Sequence, residues 1–455
     1  MTRTEVAIVG GGISGLAAAW ALHKRRVAFV LLEASDRFGG VIRTEHAAGF
    51  VLEAGPDSML AQKPEGLALC RELGLESRIV PTNLEQRNVY VLRRGRLIAL
   101  PEGMALAIPT RVVPFLLSPL FSPLGKLRMG VELLVRPRQG GADESVAGFL
   151  RRRFGQECVE RIGEPLLAGI HAGDPERLSI RATFPRFVDL EAKHGSLVRG
   201  MWTAPRPPGP PGAPFHSLLG GMGELVQALV ARLPPDSLRP GAAVQSIERP
   251  AAYRLATAAG AFDARAVILA LPPSKAAPLL EPLAAEAGPI LRGVRFASTA
   301  TVLLGFRRED VGHPLDGYGL VVPATEGLRT AALSFVSTKL PGRAPSGHVL
   351  LRGFVGGMRD PQALDLDDTA LVSLVLREMR DIVGLRGDPV VARVFRWPEA
   401  TPQMEVGHLA RMAELDARLA SLTGLQVIGA GLRVTGVPDC IAEASRAADS
   451  VSGAP

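Results

Sequence analysis

The sequence predicts a multi-domain α/β (α+β) chain with a Rossmann-like nucleotide-binding domain, a second domain on a mixed sheet, and a helical domain. Three observations carry this. At 455 residues the chain exceeds what one compact core holds. An apolar, β-branched run at Val6, Ile8 and Val9 feeds directly into glycines 10, 12 and 15 and then into an alanine-rich helical stretch. Strand-like segments return far downstream, some continuously apolar and some alternating, with helical stretches between them.

The first unit reads strand, glycine turn, helix, strand, with Val27–Leu32 as the second strand and Glu33 closing it. In Gly10-Gly11-Gly12-Ile13-Ser14-Gly15, Gly10 permits a tight turn, Gly12 lets backbone approach a pyrophosphate, and Gly15 lets the helix sit close on the strand. The helix N-terminus supplies free N–H groups and a favourable dipole for that anion. Glu33 is placed to accept hydrogen bonds from a ribose diol, which favours FAD or NAD over a 2′-phosphorylated nucleotide. The competing reading is an ordinary glycine-rich turn; the agreement of strand, helix and acid argues against it.

The next segment separates FAD from NAD. Ala34, Arg37, Gly39-Gly40-Val41 and Arg43, followed by Gly55-Pro56-Asp57-Ser58, supply a second set of backbone contacts of the kind an extended FAD needs along its ribityl chain and ring. This R-x-x-G-G-x-x-x-T and G-F-x-x-E-x-G-P pattern resembles the flavoprotein superfamily of amine oxidases, carotenoid desaturases and protoporphyrinogen oxidases. FAD is the cofactor that the resemblance implies.

The net charge of +7 comes mostly from arginine, without a lysine-rich block or an aromatic-interleaved basic stripe, so nucleic acid is not an expected partner. Cys70, Cys158 and Cys440 are scattered and lack any C-x-x-C, which argues against a disulfide framework or a metal site and fits a reducing, cytoplasmic setting. No signal peptide is expected, since only four apolar residues precede the glycines. The most apolar stretch, Val112–Leu124, is broken by three prolines and flanked by Arg111, Lys126 and Arg128. It reads either as a segment dipping into a membrane interface or as a buried irregular connection.

Downstream, helices are expected over Lys63–Leu75, Asp143–Gly155 and Glu157–Ile170, a hairpin over Val89–Leu100, and a glycine-spaced loop over Ala168–Pro175. Arg206–Pro214 reads as a stiff linker. The stretches Asp143–Phe154, Glu164–Pro175 and Leu178–Pro185 resemble the middle region of oxygen-dependent protoporphyrinogen oxidases, and the likeness spans nearly the whole chain. It implies a discontinuous FAD domain (1–72, 215–285, 400–455), a substrate domain (73–100, 186–214, 286–399) and a helical, membrane-surface domain (101–185).

The resemblance also implies site residues. Val244 would hold the adenine through its backbone, while Trp397, Ala430 and Thr435-Gly436-Val437 would close the flavin site, with the last helix directed at the ring. Gly169 would border a pocket for a planar tetrapyrrole, sandwiched by Leu304, Leu320 and Phe335; read without the resemblance, those three are plain core residues. Arg87 is the nearest candidate for a carboxylate-binding arginine, though two residues out of register, and reads equally as solvated. Met404 and Leu432 stand where the family usually has aromatics. The implied reaction is oxidation of protoporphyrinogen to protoporphyrin with oxygen as acceptor, in heme biosynthesis. Oxidation of coproporphyrinogen III is the alternative, and a flavin amine oxidase or carotenoid desaturase stands behind both. No catalytic side chain is singled out, and peripheral membrane attachment and homodimerisation stay open.

Overall fold

The computed structural model describes residues 2–138, 140–203 and 212–453. The Val6–Val9 run becomes the centre of a seven-stranded sheet. Strand Thr2–Val9 lies between Phe29–Leu32 and Gly260–Leu269, parallel to both. Leu238–Arg239 continues one side, Tyr253–Thr257 and Val244–Glu248 the other, and Leu425–Val427 pairs with the end of Gly260–Leu269. Successive residues are apolar because both faces are covered. Val6 and Ile8 pack toward helices Ile13–Lys24, Gly223–Arg232 and Val437–Ser452. Ala7 and Val9 pack toward Pro273–Leu280, Ala287–Arg292 and His408–Leu419.

A second seven-stranded sheet runs Val391–Gln403, Arg295–Arg307, His348–Gly356, Thr330–Phe335, Gly317–Val321, Asn88–Arg93 and Arg96–Ala99. Helix Asp368–Val383 covers one face with Leu371, Leu374, Val375 and Met379; Asp367 caps its start and Gly384, at φ 64°, ends it. The other face looks toward the first sheet's loops and the helical unit. Leu303 and Leu350 meet Phe50 and Leu52 there, and Val321 and Ala332 meet the helices.

The helical unit wraps a core of Phe115, Phe121, Phe149, Phe154 and Ile162. Helix Val146–Phe154 begins where Ser145 Oγ accepts from Gly148 N–H and ends at Gly155, φ 93°. Three expectations are corrected here. Glu157–Ile170 is not one α-helix: Val159–Gly163 is a π-turn, and Pro165 has no N–H to send back to Arg161. The expected glycine loop is helical through His171, and Ala172 at φ 48° turns the chain. Leu190, Leu197 and Val198 belong to the same core, so the helical unit runs past the boundary expected at 185 through helices Pro185–His194 and Leu197–Thr203. Most of the expected linker, 206–211, lies outside the described residues.

Candidate active site

The glycine turn is built by close approach. A Cβ on Gly15 would stand 1.8 Å from the Gly10 carbonyl oxygen, and Gly10 sits at φ +104° against Ala270 O. Gly12 is different: a Cβ there would meet nothing within 4 Å, so open space lies in front of it. Gly12 is also the N-cap of helix Ile13–Lys24, with no side chain capping that end and no acidic residue in its first turn. An uncapped helix start behind a side-chain-free approach suits an anion such as a pyrophosphate.

The remaining sequence-expected nucleotide residues gather around this turn. Gly11 N–H donates to Glu33 Oε2 at 2.6 Å, and Ser35 N–H to Glu33 Oε1 at 2.8 Å. Ala242 N–H reaches Glu33 O, which brings the strand carrying Val244 beside Glu33 and Ala34. Gly39 N–H donates to Gly11 O, and a Cβ on Gly40 would touch Gly12 Cα at 3.2 Å. Arg37 straps this corner through the carbonyls of Phe38, Gly40 and Ile42. A Cβ on Gly55 would stand 1.9 Å from Val41 O, which leads from Val41 to Pro56, Asp57 and Ser58. Gly429 lies 3.9 Å, as a built Cβ, from Ser14 Oγ, and Ala430 bridges to Val434. Thr435 and the N-cap Gly436 lead into helix Val437–Ser452, which again starts without a side-chain cap.

Where the flavin end of such a nucleotide would lie, three donors from adjacent strands of the second sheet converge on one carbonyl. Trp397 Nε1 (2.8 Å), Arg352 Nη2 (3.1 Å) and Thr301 Oγ1 (3.2 Å) all donate to Ala54 O. Asp57 accepts both of its contacts with Lys339 Nζ, at 2.8 and 2.9 Å, and one from Ser58 Oγ. Burial alone would raise the Asp57 carboxyl, but Lys339 and Arg352 hold it well below the usual carboxylate range.

The sandwich expected of Leu304, Leu320 and Phe335 is corrected. All three are buried to 2% exposure or less, on the sheet face packed against helix Asp368–Val383, away from the Gly55 loop. Side chains alternate along a strand, so a one-residue slip exchanges faces. The residues that face the helical unit are their neighbours in register: Val321, Ala332 and Phe354. Gly169 packs onto that face, where a Cβ would stand 3.3 Å from Ala332 Cβ and 3.5 Å from Val321 Cγ1. Arg87 is exposed and makes no ion pair among the described residues. Met404 and Leu432, the two departures from aromatic residues, are both buried.

Sequence reading missed Thr301, Arg352, Phe354 and His171. The first three lie on strands it did identify, two residues apart or facing one another, and the alternation within those strands was the available signal. His171 closes helix Glu164–His171, its carbonyl accepting from Gln403 Nε2 at 3.1 Å and its ring set edge-on to Phe184. Burial holds its imidazole down to about 4, so it is neutral near pH 7.

The fold and this site define a dinucleotide-binding oxidoreductase with a second sheet closing over the far end of the cofactor groove. Residues 13–452 match the model of the flavin-containing amine oxidoreductases, and the chain belongs to that family; it is an FAD-dependent enzyme. It is 36% identical to the coproporphyrinogen III oxidase of Bacillus subtilis (strain 168), over 96% of each chain. To the chloroplastic protoporphyrinogen oxidase of Nicotiana tabacum it is 30% identical, over 99% of this chain and 85% of that one. A solved structure from Exiguobacterium sp. 255-15, provisionally named a protoporphyrinogen oxidase, superposes with a TM-score of 0.89 at 33% identity, covering 99% of this chain and 98% of that one.

Proposed function

We propose that the enzyme oxidises a porphyrinogen to the corresponding porphyrin, with oxygen as the final acceptor. The observation that carries this is the near end-to-end likeness to the B. subtilis enzyme, in a chain whose second sheet sets Arg352, lying over the Phe354 ring, against the Gly55 loop. Coproporphyrinogen III stands first on that likeness; protoporphyrinogen IX, the leading expectation from sequence, stands second through the tobacco enzyme. Bound FAD supplies a two-electron acceptor that oxygen can regenerate with release of peroxide. In each round the substrate loses a hydride from a meso carbon and a proton from a pyrrole nitrogen, and repeated rounds give the aromatic ring. The protein's share is to bind and orient the flat substrate against the Gly55 loop and to keep water out.

Within this reading, Gly10–Gly15 hold the pyrophosphate, Glu33 and Ala34 the ribose, and Val244 the adenine. Arg37, Gly40, Val41, Gly55–Ser58, Trp397, Ala430 and Thr435–Val437 surround the ribityl and flavin end. The helical domain extends to 203, the nucleotide domain also takes in Leu73, Ile79 and helix Ala287–Arg292, and residues 400–403 stay with the second sheet. Helices Val112–Leu117 and Pro123–Gly130 and the following turn expose Val113, Leu117, Leu124, Leu127 and Leu134, each at 65–81%, beside Arg111, Lys126 and Arg136. That apolar, basic-rimmed patch favours attachment to the cytoplasmic membrane surface. No helix among the described residues is long and apolar enough to cross a membrane.

Anaerobic stopped-flow mixing of the yellow protein with each porphyrinogen tests the substrate. Faster bleaching of the visible flavin band by coproporphyrinogen III supports the first reading, and faster bleaching by protoporphyrinogen the second. No bleaching by either, in protein that a chemical reductant still bleaches, overturns both.

A further inference from the structure

Five buried or largely buried charges surround the 53–57 segment. Asp57 is taken up by Lys339. Glu53 lies 3.8 Å from Arg343 and accepts from Met222 N–H and Thr44 Oγ1. Two carboxylates therefore face three cations, and Arg352 is the one with no carboxylate in contact among the described residues, feeling Asp57 and Glu53 only at longer range. Its residue is 5% exposed, and its nearest polar contacts are neutral carbonyls, Ala54 O at 3.1 Å and Gly55 O at 2.8 Å. Its guanidinium lies over the Phe354 ring, 4.9 Å from the centroid, and its Nε has no hydrogen-bond partner among the described residues. A guanidinium stays charged at any working pH, so a buried one without a carboxylate in contact is costly unless something else uses the charge.

The group that would gain is a flavin ring held beside the Gly55 loop. Two-electron reduction leaves the pyrimidine side of the ring negatively charged, and a fixed, desolvated cation stabilises that form over the neutral oxidised one. Helix Val437–Ser452 offers only a partial charge from its N-terminus. We propose that Arg352 is a positioning residue that also acts through its charge. It ties the Gly55 loop to the second sheet and supplies the surplus buried cation that raises the reduction potential of the bound flavin. The assignment needs flavin binding alone and stands apart from the porphyrinogen reading.

The test compares the holoenzyme with R352M, R352Q, R352K and T301V, reading the midpoint potential by equilibration with a reference dye and sulfite affinity by loss of the visible band. R352M is expected to shift the oxidised-to-reduced equilibrium at least tenfold toward the oxidised form, about 30 mV for a two-electron couple, and to weaken sulfite binding by a similar factor. R352K, which keeps the charge, returns most of the shift. If R352M does not fold, R352Q, which keeps donors for the two carbonyls, is expected to shift the same way. T301V removes one bond to Ala54 O without changing charge and leaves the potential in place. Unchanged potentials in both neutral variants, with only weaker FAD retention or lower thermal stability, would overturn the proposal. A T301V shift as large as that of R352M would overturn it too, by making the clamp and not the charge responsible. Neither readout uses a porphyrinogen, so failure here and failure of the substrate reading are separable.

Discussion

Gly12 and Gly15 look alike in the sequence, yet the structure asks different things of them. Gly15→Ala drives a Cβ into the Gly10 carbonyl at 1.8 Å, a backbone clash with no flexible atom to move. It is expected to cost about 1–3 kcal/mol of folding stability, measured by denaturant unfolding of the FAD-free protein. A Cβ at Gly12 meets nothing within 4 Å, so Gly12→Ala should leave that stability unchanged while weakening FAD binding at least tenfold in a fluorescence titration. Phe335→Ala separates core from pocket: about 3–5 kcal/mol of stability is lost with no change in apparent substrate affinity. His171 carries a pH signature. Its folded value of about 4 lies below the usual 6.5, so the unfolded chain binds the extra proton between those values, and stability falls as pH drops from about 6.5 to 4. The window is worth about 3 kcal/mol, and His171→Phe should flatten that part of the unfolding-stability profile relative to the unmodified enzyme. The glycine turn was legible in sequence because its demands are local, met within a few residues and one strand. The pocket face was not. Leu320 and Val321 are equally apolar and both buried, and only distant helices decide which packs against Asp368–Val383 and which against the helical unit.

At the scale of elements, the helical unit depends on a charge pair that the sequence does not announce. Arg153 and Glu132 are both fully buried and joined directly; Arg153 also donates to Val135 O, Gly195 O and Glu191 Oε1, the last shared with Arg152, and Glu132 accepts from Ser196 Oγ and Leu197 N–H. Removing one partner strands the other, so Arg153→Met should lower stability by about 3–5 kcal/mol. Adding Glu132→Gln removes the orphaned charge while keeping an oxygen for Ser196 and Leu197, and the double variant should recover a substantial part of that loss in the same unfolding assay. In the sequence, Arg151-Arg152-Arg153 reads as one basic helix end. Only the return of helices Pro185–His194 and Leu197–Thr203 onto Val146–Phe154 buries the third arginine, and the same return moved the domain boundary from 185 to 203. Elements with their own start and stop signals, such as Ser145 and Gly155, could be read directly, whereas the grouping of helices into units depends on contacts between segments forty or more residues apart.

At the scale of the whole molecule, Leu117, Leu124 and Leu134 are left on solvent by the helical unit, on a stretch that also carries Arg111, Lys126 and Arg136. Two forces then act on one surface. Apolar area removed from water contributes about 25 cal/mol per Å², and each basic residue near an anionic surface adds about 1 kcal/mol. The apolar part is insensitive to salt and the basic part is screened over about 8 Å at physiological ionic strength. Flotation with vesicles containing anionic lipid should therefore carry the full-length holoenzyme upward, more weakly with neutral vesicles, and high salt should release a fraction and not the whole. A Leu117→Glu, Leu124→Glu, Leu134→Glu variant changes only exposed positions, so it should keep its flavin spectrum and unfolding midpoint while losing flotation on both kinds of vesicle. Undiminished flotation of that variant would place the membrane contact elsewhere, and complete release by salt alone would reduce the patch to a bystander of the basic rim.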